Sequence, residues 1–206
     1  MRLRALLLLA AGWSASATPQ LYEFTVVIGA ARKAFTVEVR PEWAPLGAAR
    51  FAELVAEPGF FSGVRFFRTI AGFMTQFGIA GKPEVAARWK DRKIADDPVV
   101  ESNARGFVSF ATSGKDSRTT QMFINLHDNK NLDGMGFSPF ARVVGDGMAV
   151  VDELYAGYGE GGAGDGSDGR GPSQQRVQTE GNKYLKAVFP KLSYIESVVA
   201  LPAAEL

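Results

Sequence analysis

A chain of 206 residues with 46% apolar content is long enough for one domain and one well-filled core. Its 23 basic and 22 acidic residues leave a formal charge of +1, which excludes the electrostatic footprint of a nucleic-acid-binding domain. With no cysteine and one histidine, His127, the sequence offers neither a disulfide framework nor a His- or Cys-based zinc site, so no metal is expected.

In chain order, Arg2 and Arg4 come first, followed by an apolar run over residues 5–11 and the small triplet Ala15, Ser16 and Ala17. Basic, apolar, then small is the layout of a secretory signal peptide, expected over residues 1–17, with the mature domain over 18–206. Losing Arg2 and Arg4 takes the formal charge from +1 to −1. The mature part has no apolar run of membrane-spanning length, so it is expected to reach a periplasm, an organelle lumen or the cell exterior without staying in a membrane.

The mature region then alternates. In residues 35–40, Phe35, Val37 and Val39 are apolar while Thr36, Glu38 and Arg40 are polar, the period of a half-buried strand. Residues 23–28, 63–70, 107–112, 121–126, 137–144 and 192–201 give further strands. About seven strands with few helices predict an all-β barrel or sandwich. A helix is expected over about 44–57, with Pro45 in its first turn and Pro58-Gly59 ending it, and with Ala44, Ala48, Phe51 and Val55 on one apolar stripe. A second is expected over 147–155, and a short helical turn over about 180–189 stops at Pro190. Two connections are long. Residues 82–98 are charged and carry Trp89, and residues 157–172 are glycine-rich and acidic, a mobile surface loop.

Several apparent motifs dissolve on their context. Gly157, Gly159 and Gly162 match GxGxxG, but they follow a helix rather than a strand and lead into more glycine, so they form a loop. His127 has no GxSxG serine as partner and reads as a surface residue. Asp96 and Asp97, adjacent in a charged loop, read as solvent-facing.

Three blocks carry more information. The first runs over residues 66–76, where Arg68 stands among Phe66, Phe67, Ile70, Phe73 and Met74. A charge in such company is costly to bury unless paired. Met74 and Gln76 share one face, and Gly72 permits the irregular backbone that brings Phe73 to the same surface. The second comprises Ser109, Ala111 and Thr112, then a strand on which Gln121, Phe123 and Asn125 form one strip of amide, ring and amide. The third is the turn Leu132, Asp133, Gly134, leading to Phe137 and Phe140.

In this order and spacing, the three blocks resemble the cyclophilin family of peptidyl-prolyl cis-trans isomerases. The first matches through Phe66, Arg68, Gly72, Phe73, Met74 and Gln76, the second through Ser109, Ala111, Gln121, Phe123 and Ile124, and the third through Leu132, Asp133 and Gly134. The resemblance covers residues 35–158. It implies a closed antiparallel eight-stranded β-barrel capped by two α-helices. It implies an isomerase of Xaa–Pro bonds that acts during protein folding as a monomer on proline-containing polypeptides, without a cofactor. Arg68 takes the catalytic place. Phe73, Met74, Phe123 and Leu132 would grip the proline ring, Gln76 and Gln121 would orient Arg68 or a peptide carbonyl, and the backbone at Ala111 and Thr112 would pair with the substrate. The sequence departs from the pattern at three points. Asn131 replaces the aromatic before the turn, Gly136 or Phe137 replaces the histidine after it, and Thr112 stands where asparagine is common. Asn131 and Phe137 keep one rival open, a proline-peptide-binding chaperone or scaffold with little turnover.

Overall fold

The computed structural model describes residues 18–168 and 170–202; the expected signal peptide lies outside them. Eight strands form one antiparallel sheet: β1 (Gln20–Ile28), β2 (Ala31–Val39), β3 (Arg68–Ile70), β4 (Met74–Phe77), β5 (Phe107–Phe110), β6 (Met122–Asn125), β7 (Pro139–Val144) and β8 (Tyr194–Ala200). Their order across the sheet is β3-β4-β6-β5-β7-β2-β1-β8. Four helices accompany it: α1 (Pro45–Ala56), α2 (Pro83–Trp89), α3 (Gly147–Val151) and α4 (Gln174–Val188).

Alternation puts one face of every long strand inside. Phe24, Val26, Phe35, Val37, Val108, Phe110, Met122, Ile124 and Phe140 are all buried in one core. Each such side chain contributes roughly 1.5–3 kcal/mol relative to exposure. α1 covers this core through Ala48, Phe51 and Leu54. The Phe51 ring meets Tyr22 edge-on at 5.0 Å and lies 5.6 Å from Phe140.

The barrel is not closed as the resemblance implied. β3 and β8 are the two edges of a curled, open sheet. The expected single strand over 63–70 is split in two. Its first half bonds to the β8 side, through Gly63 N–H to Ile195 C=O, Ile195 N–H to Val64 C=O, both 2.8 Å, and Phe66 N–H to Ser193 C=O at 3.0 Å. Its second half, β3, pairs with β4. Phe66 and Phe67, consecutive and both buried, stand where the chain passes from one partner to the other.

Two helices exceed the expected pair. Residues 83–89 form α2, with Pro83 in its first turn and Val85, Ala86 and Trp89 buried. Trp89 belongs to the core, its ring flanked by the guanidinium groups of Arg50 at 5.4 Å and Arg92 at 4.7 Å. The helical turn expected near 180–189 is the second half of α4, whose two halves meet at Gly181 (φ 58°, ψ −144°). A side chain there would strike the carbonyl of Gly81 at 2.4 Å.

Of the acidic pair, Asp96 is exposed as expected, while Asp97 overturns the expectation. It is buried, and its carboxylate accepts the N–H groups of Leu46 (3.0 Å) and Gly47 (2.9 Å) at the start of α1. α1 has no acidic residue in its own first turn. Asp97 supplies that charge from 50 residues away in sequence, where it complements the helix dipole and satisfies two end N–H groups. Arg118, also buried, completes the pair at 3.1 Å.

Candidate active site

β3 and β4 are antiparallel neighbours, with Arg68 opposite Gln76 and Ile70 opposite Met74. Between them lies a tight turn, in which Phe73 N–H donates to Ile70 C=O at 3.0 Å and Gly72 takes φ 72°. β4 and β6 lie side by side, with Gln76 opposite Phe123. Thr75, Phe77, Met122 and Ile124 occupy one face of this pair. The other face carries Met74, Gln76 and Phe123 to a surface cavity of about 440 Å³. All nine residues singled out from sequence line this cavity: Arg68, Phe73, Met74, Gln76, Ala111, Thr112, Gln121, Phe123 and Leu132.

The polar side is a relay of fixed donors. Gln121 Oε1 accepts from Gln76 Nε2 at 2.8 Å, and Gln76 Oε1 accepts from Arg68 Nη1 at 3.1 Å. The Gln76 amide thereby has one possible orientation, and it aims the guanidinium. Arg68 also stands 6.0 Å from the Phe73 ring centroid.

The apolar side is a small separate cluster of Met74, Phe123 and Leu132, against which Ile70, Phe73, Ala111 and Phe137 pack. The Phe123 and Phe137 rings meet edge to face at 5.6 Å. Asn131, which stands at the position of the expected aromatic, is exposed and takes no part in lining the cavity. Phe137 supplies an aromatic wall in its stead.

Leu132 sits in a 3-10 turn (Lys130–Met135) held by a buried network. Asp133 accepts from Ser102 Oγ (2.6 Å), Asn103 Nδ2 (2.8 Å) and Asn103 N–H (2.8 Å). Asn103 Nδ2 also reaches Phe137 C=O at 2.8 Å, and Asn129 Nδ2 reaches Phe73 C=O and Asn125 Oδ1, both at 2.8 Å. Asn125, the third member of the amide–ring–amide strip, thus supports the floor rather than lining it. Burial pushes the Asp133 carboxyl up, but the bonds from Ser102 and Asn103 outweigh it and hold the group below its ordinary value of 3.8. Because its folded value is lowered, its contribution to stability is complete above that ordinary value and is lost as pH falls through the folded one. Asp133→Asn is therefore expected to be less stable than wild type at neutral pH, with the difference vanishing on acidification. Urea midpoints followed down to below about pH 3 test this.

Other cavity residues escaped the sequence. Lys90, Lys93, Gln174 and Gln178 contribute from the α2 region and α4. Glu160, in the loop read as mobile, pairs with Arg68: Oε1 accepts from Nε at 2.5 Å and Oε2 from Nη2 at 2.7 Å. The Arg68 guanidinium holds the Glu160 carboxyl below the usual carboxylate range, and the Gly161 N–H acts in the same direction. Nothing local in the sequence marks this contact, which spans 92 positions. His127 is exposed and outside the site, and the glycines over 157–162 form a loop, both as expected.

The described residues thus present an arginine beside an apolar pocket on one face of an open β-sheet. A family model described as "Cyclophilin type peptidyl-prolyl cis-trans isomerase/CLD" matches residues 24–178, and the chain belongs to that family. It is 38% identical over 118 residues to peptidyl-prolyl cis-trans isomerase A of Dickeya dadantii, covering 54% of this chain and 60% of that protein. It is 36% identical over 121 residues to peptidyl-prolyl cis-trans isomerase B of Escherichia coli, covering 54% of this chain and 71% of that protein. The fold matches a Cryptosporidium parvum cyclophilin type peptidyl-prolyl cis-trans isomerase with a TM-score of 0.63 at 17% identity, over 90% of this chain and 99% of that one.

Proposed function

We propose that the chain accelerates cis–trans interconversion of Xaa–Pro bonds in polypeptides undergoing folding. The observation that carries this reading is the position of Arg68, oriented by Gln76 at the rim of the apolar pocket. An Xaa–Pro bond rotates over a barrier of about 20 kcal/mol because its partial double bond must be broken. Breaking it requires no covalent chemistry. Catalysis needs only that the twisted amide be bound better than the planar one. As resonance is lost, the prolyl nitrogen regains a lone pair, and an N–H of Arg68 donates to it. In the planar amide that acceptor does not exist, so the interaction acts in the transition state alone.

Phe73, Met74, Phe123 and Leu132 hold the pyrrolidine ring while the segment before it turns, and Phe137 closes the pocket behind Phe123. The Ala111 N–H is already engaged with Gln121 C=O at 2.9 Å, so backbone pairing with an extended substrate falls to the remaining groups at Ala111 and Thr112. The protein acts as a monomer. Residues 1–17 direct it into a secretory route, and N-terminal sequencing of exported protein tests that assignment.

Nuclear magnetic resonance exchange spectroscopy on a short Xaa–Pro peptide tests the activity. Substoichiometric protein is expected to broaden and exchange the cis and trans signals, which interconvert in tens to hundreds of seconds unaided. Binding without faster exchange would replace the isomerase with a proline-segment chaperone.

A further inference from the structure

We infer that Glu160 is a positioning residue for Arg68, an assignment that rests on Arg68 being the donor to the prolyl nitrogen. A guanidinium has five N–H groups. Glu160 takes the Nε–H and one Nη2–H, and Gln76 takes one Nη1–H. Two remain, one on each terminal nitrogen. Nη1 donates only a long, weak bond to Met74 Sδ at 3.8 Å, where the apolar pocket begins, which leaves the second Nη2–H without a partner. The carboxylate therefore grips the side edge of the guanidinium and leaves the end for a ligand. Arg68 is held between two acceptors, one 8 and the other 92 positions away in sequence, so its long side chain need not be ordered when substrate binds.

The loop is built to hold this arm still. Glu160 Oε1 also accepts the Gly161 N–H at 2.9 Å, which fixes the carboxylate itself. Glu160 C=O accepts the Gly171 N–H at 2.7 Å, and Gly171 C=O accepts the Gly162 N–H at 2.9 Å. On one side, the Tyr158 ring packs edge-on against Phe189 at 5.0 Å. On the other, Tyr184 of α4 donates its hydroxyl to Gly164 C=O. A carboxylate pinned at both flanks acts as a brace for the arginine.

The test compares wild type, Glu160→Ala and Glu160→Gln in the full chain, by kcat and KM for an Xaa–Pro peptide and by the Arg68 Nε–H signal in proton–nitrogen spectra. Glu160→Ala is expected to lower kcat about ten- to a hundredfold, the scale on which misplacement of a reacting group is felt, with little change in KM. Glu160→Gln retains one acceptor of the same shape and is expected to lose less. Its Nε–H signal is expected to shift and exchange faster, a change that a purely structural role would not produce. Because the side chain is half exposed, Glu160→Gln leaves the fold intact even if the alanine variant does not. Wild-type kcat in the glutamine and alanine variants, or a kcat above wild type, would overturn the inference; the second would make the carboxylate a competitor of substrate. Wild type that fails to accelerate exchange overturns the isomerase reading and this inference together, whereas active wild type with unaffected variants overturns this inference alone.

Discussion

Arg68→Ala is expected to lower kcat/KM on an Xaa–Pro peptide by about two to three orders of magnitude, the usual cost of deleting a preorganised transition-state donor. Its melting temperature is expected to stay within a few degrees of wild type. The side chain is 23% exposed and reaches into the cavity, so its removal opens no hole in the core. Glu160 is half exposed and Gln76 lines the cavity, so neither becomes an unpaired group cut off from water. Peptide affinity should fall less than turnover, because the pyrrolidine pocket of Met74, Phe123 and Leu132 remains. Arg68→Lys sharpens the point. It restores the charge without the planar fork that meets Gln76, Glu160 and substrate at once, so it should recover little activity. Full activity in Arg68→Ala, measured in the exchange assay, would remove Arg68 from the mechanism.

The largest effect on stability is expected at Arg118. Its side chain and that of Asp97 are each only 2% exposed, and the two meet at 3.1 Å. Arg118 also donates to Ala95 C=O. Arg118→Met would leave a carboxylate buried without its counter-charge, a loss of about 3–5 kcal/mol. At about 2–4 °C per kcal/mol for a domain of this size, the melting temperature should fall by roughly 6–20 °C. The Asp97 carboxylate would still hold the start of α1, so α1 should unfold with the domain rather than ahead of it. Adding Asp97→Asn should recover part of the loss, since the amide removes the stranded charge yet keeps an oxygen for the N–H groups at the start of α1. A double-mutant cycle by calorimetry measures that recovery. Equal stability of Arg118→Met and wild type would show that the pair contributes nothing.

Much of the fold was legible because a strand's period is written in every second residue. β5, β6, β7, β8 and α1 overlap the segments that alternation or an apolar stripe marks, as do β1 and β2, which begin three to four residues earlier than alternation shows. The nine cavity residues were legible as a group because they fall in three short runs that β3, β4, β6 and the 3-10 turn bring together. What escaped is what depends on distant partners. The strand over 63–70 reads as continuous because its change of partner, from residues 193–195 to β4, is set by distant segments. α2 was hidden by the charges around Trp89, whose ring is covered by arginines from two segments. Asp97 and Glu160 look like solvent-facing acids in charged or glycine-rich loops. Their roles come from Leu46, Gly47 and Arg118 in one case, and from Arg68 in the other. No window of sequence short enough to carry a period can contain both members of such pairs.

The sheet order also sets a timetable. β1 lies between β2 and β8, with Tyr22 opposite Ala200, so the first strand of the domain waits for the last. The backbone of residues 63–66 waits for the same segment, at Ser193 and Ile195. As the chain emerges from a ribosome, the hairpin of β1 and β2 forms early, but two lengths of strand edge stay bare until residues 193–200 arrive. Bare edges are templates for pairing with other chains. Residues 194–200 therefore work as a seal, and the interval before their arrival is when a nascent copy of this protein most needs a chaperone of its own.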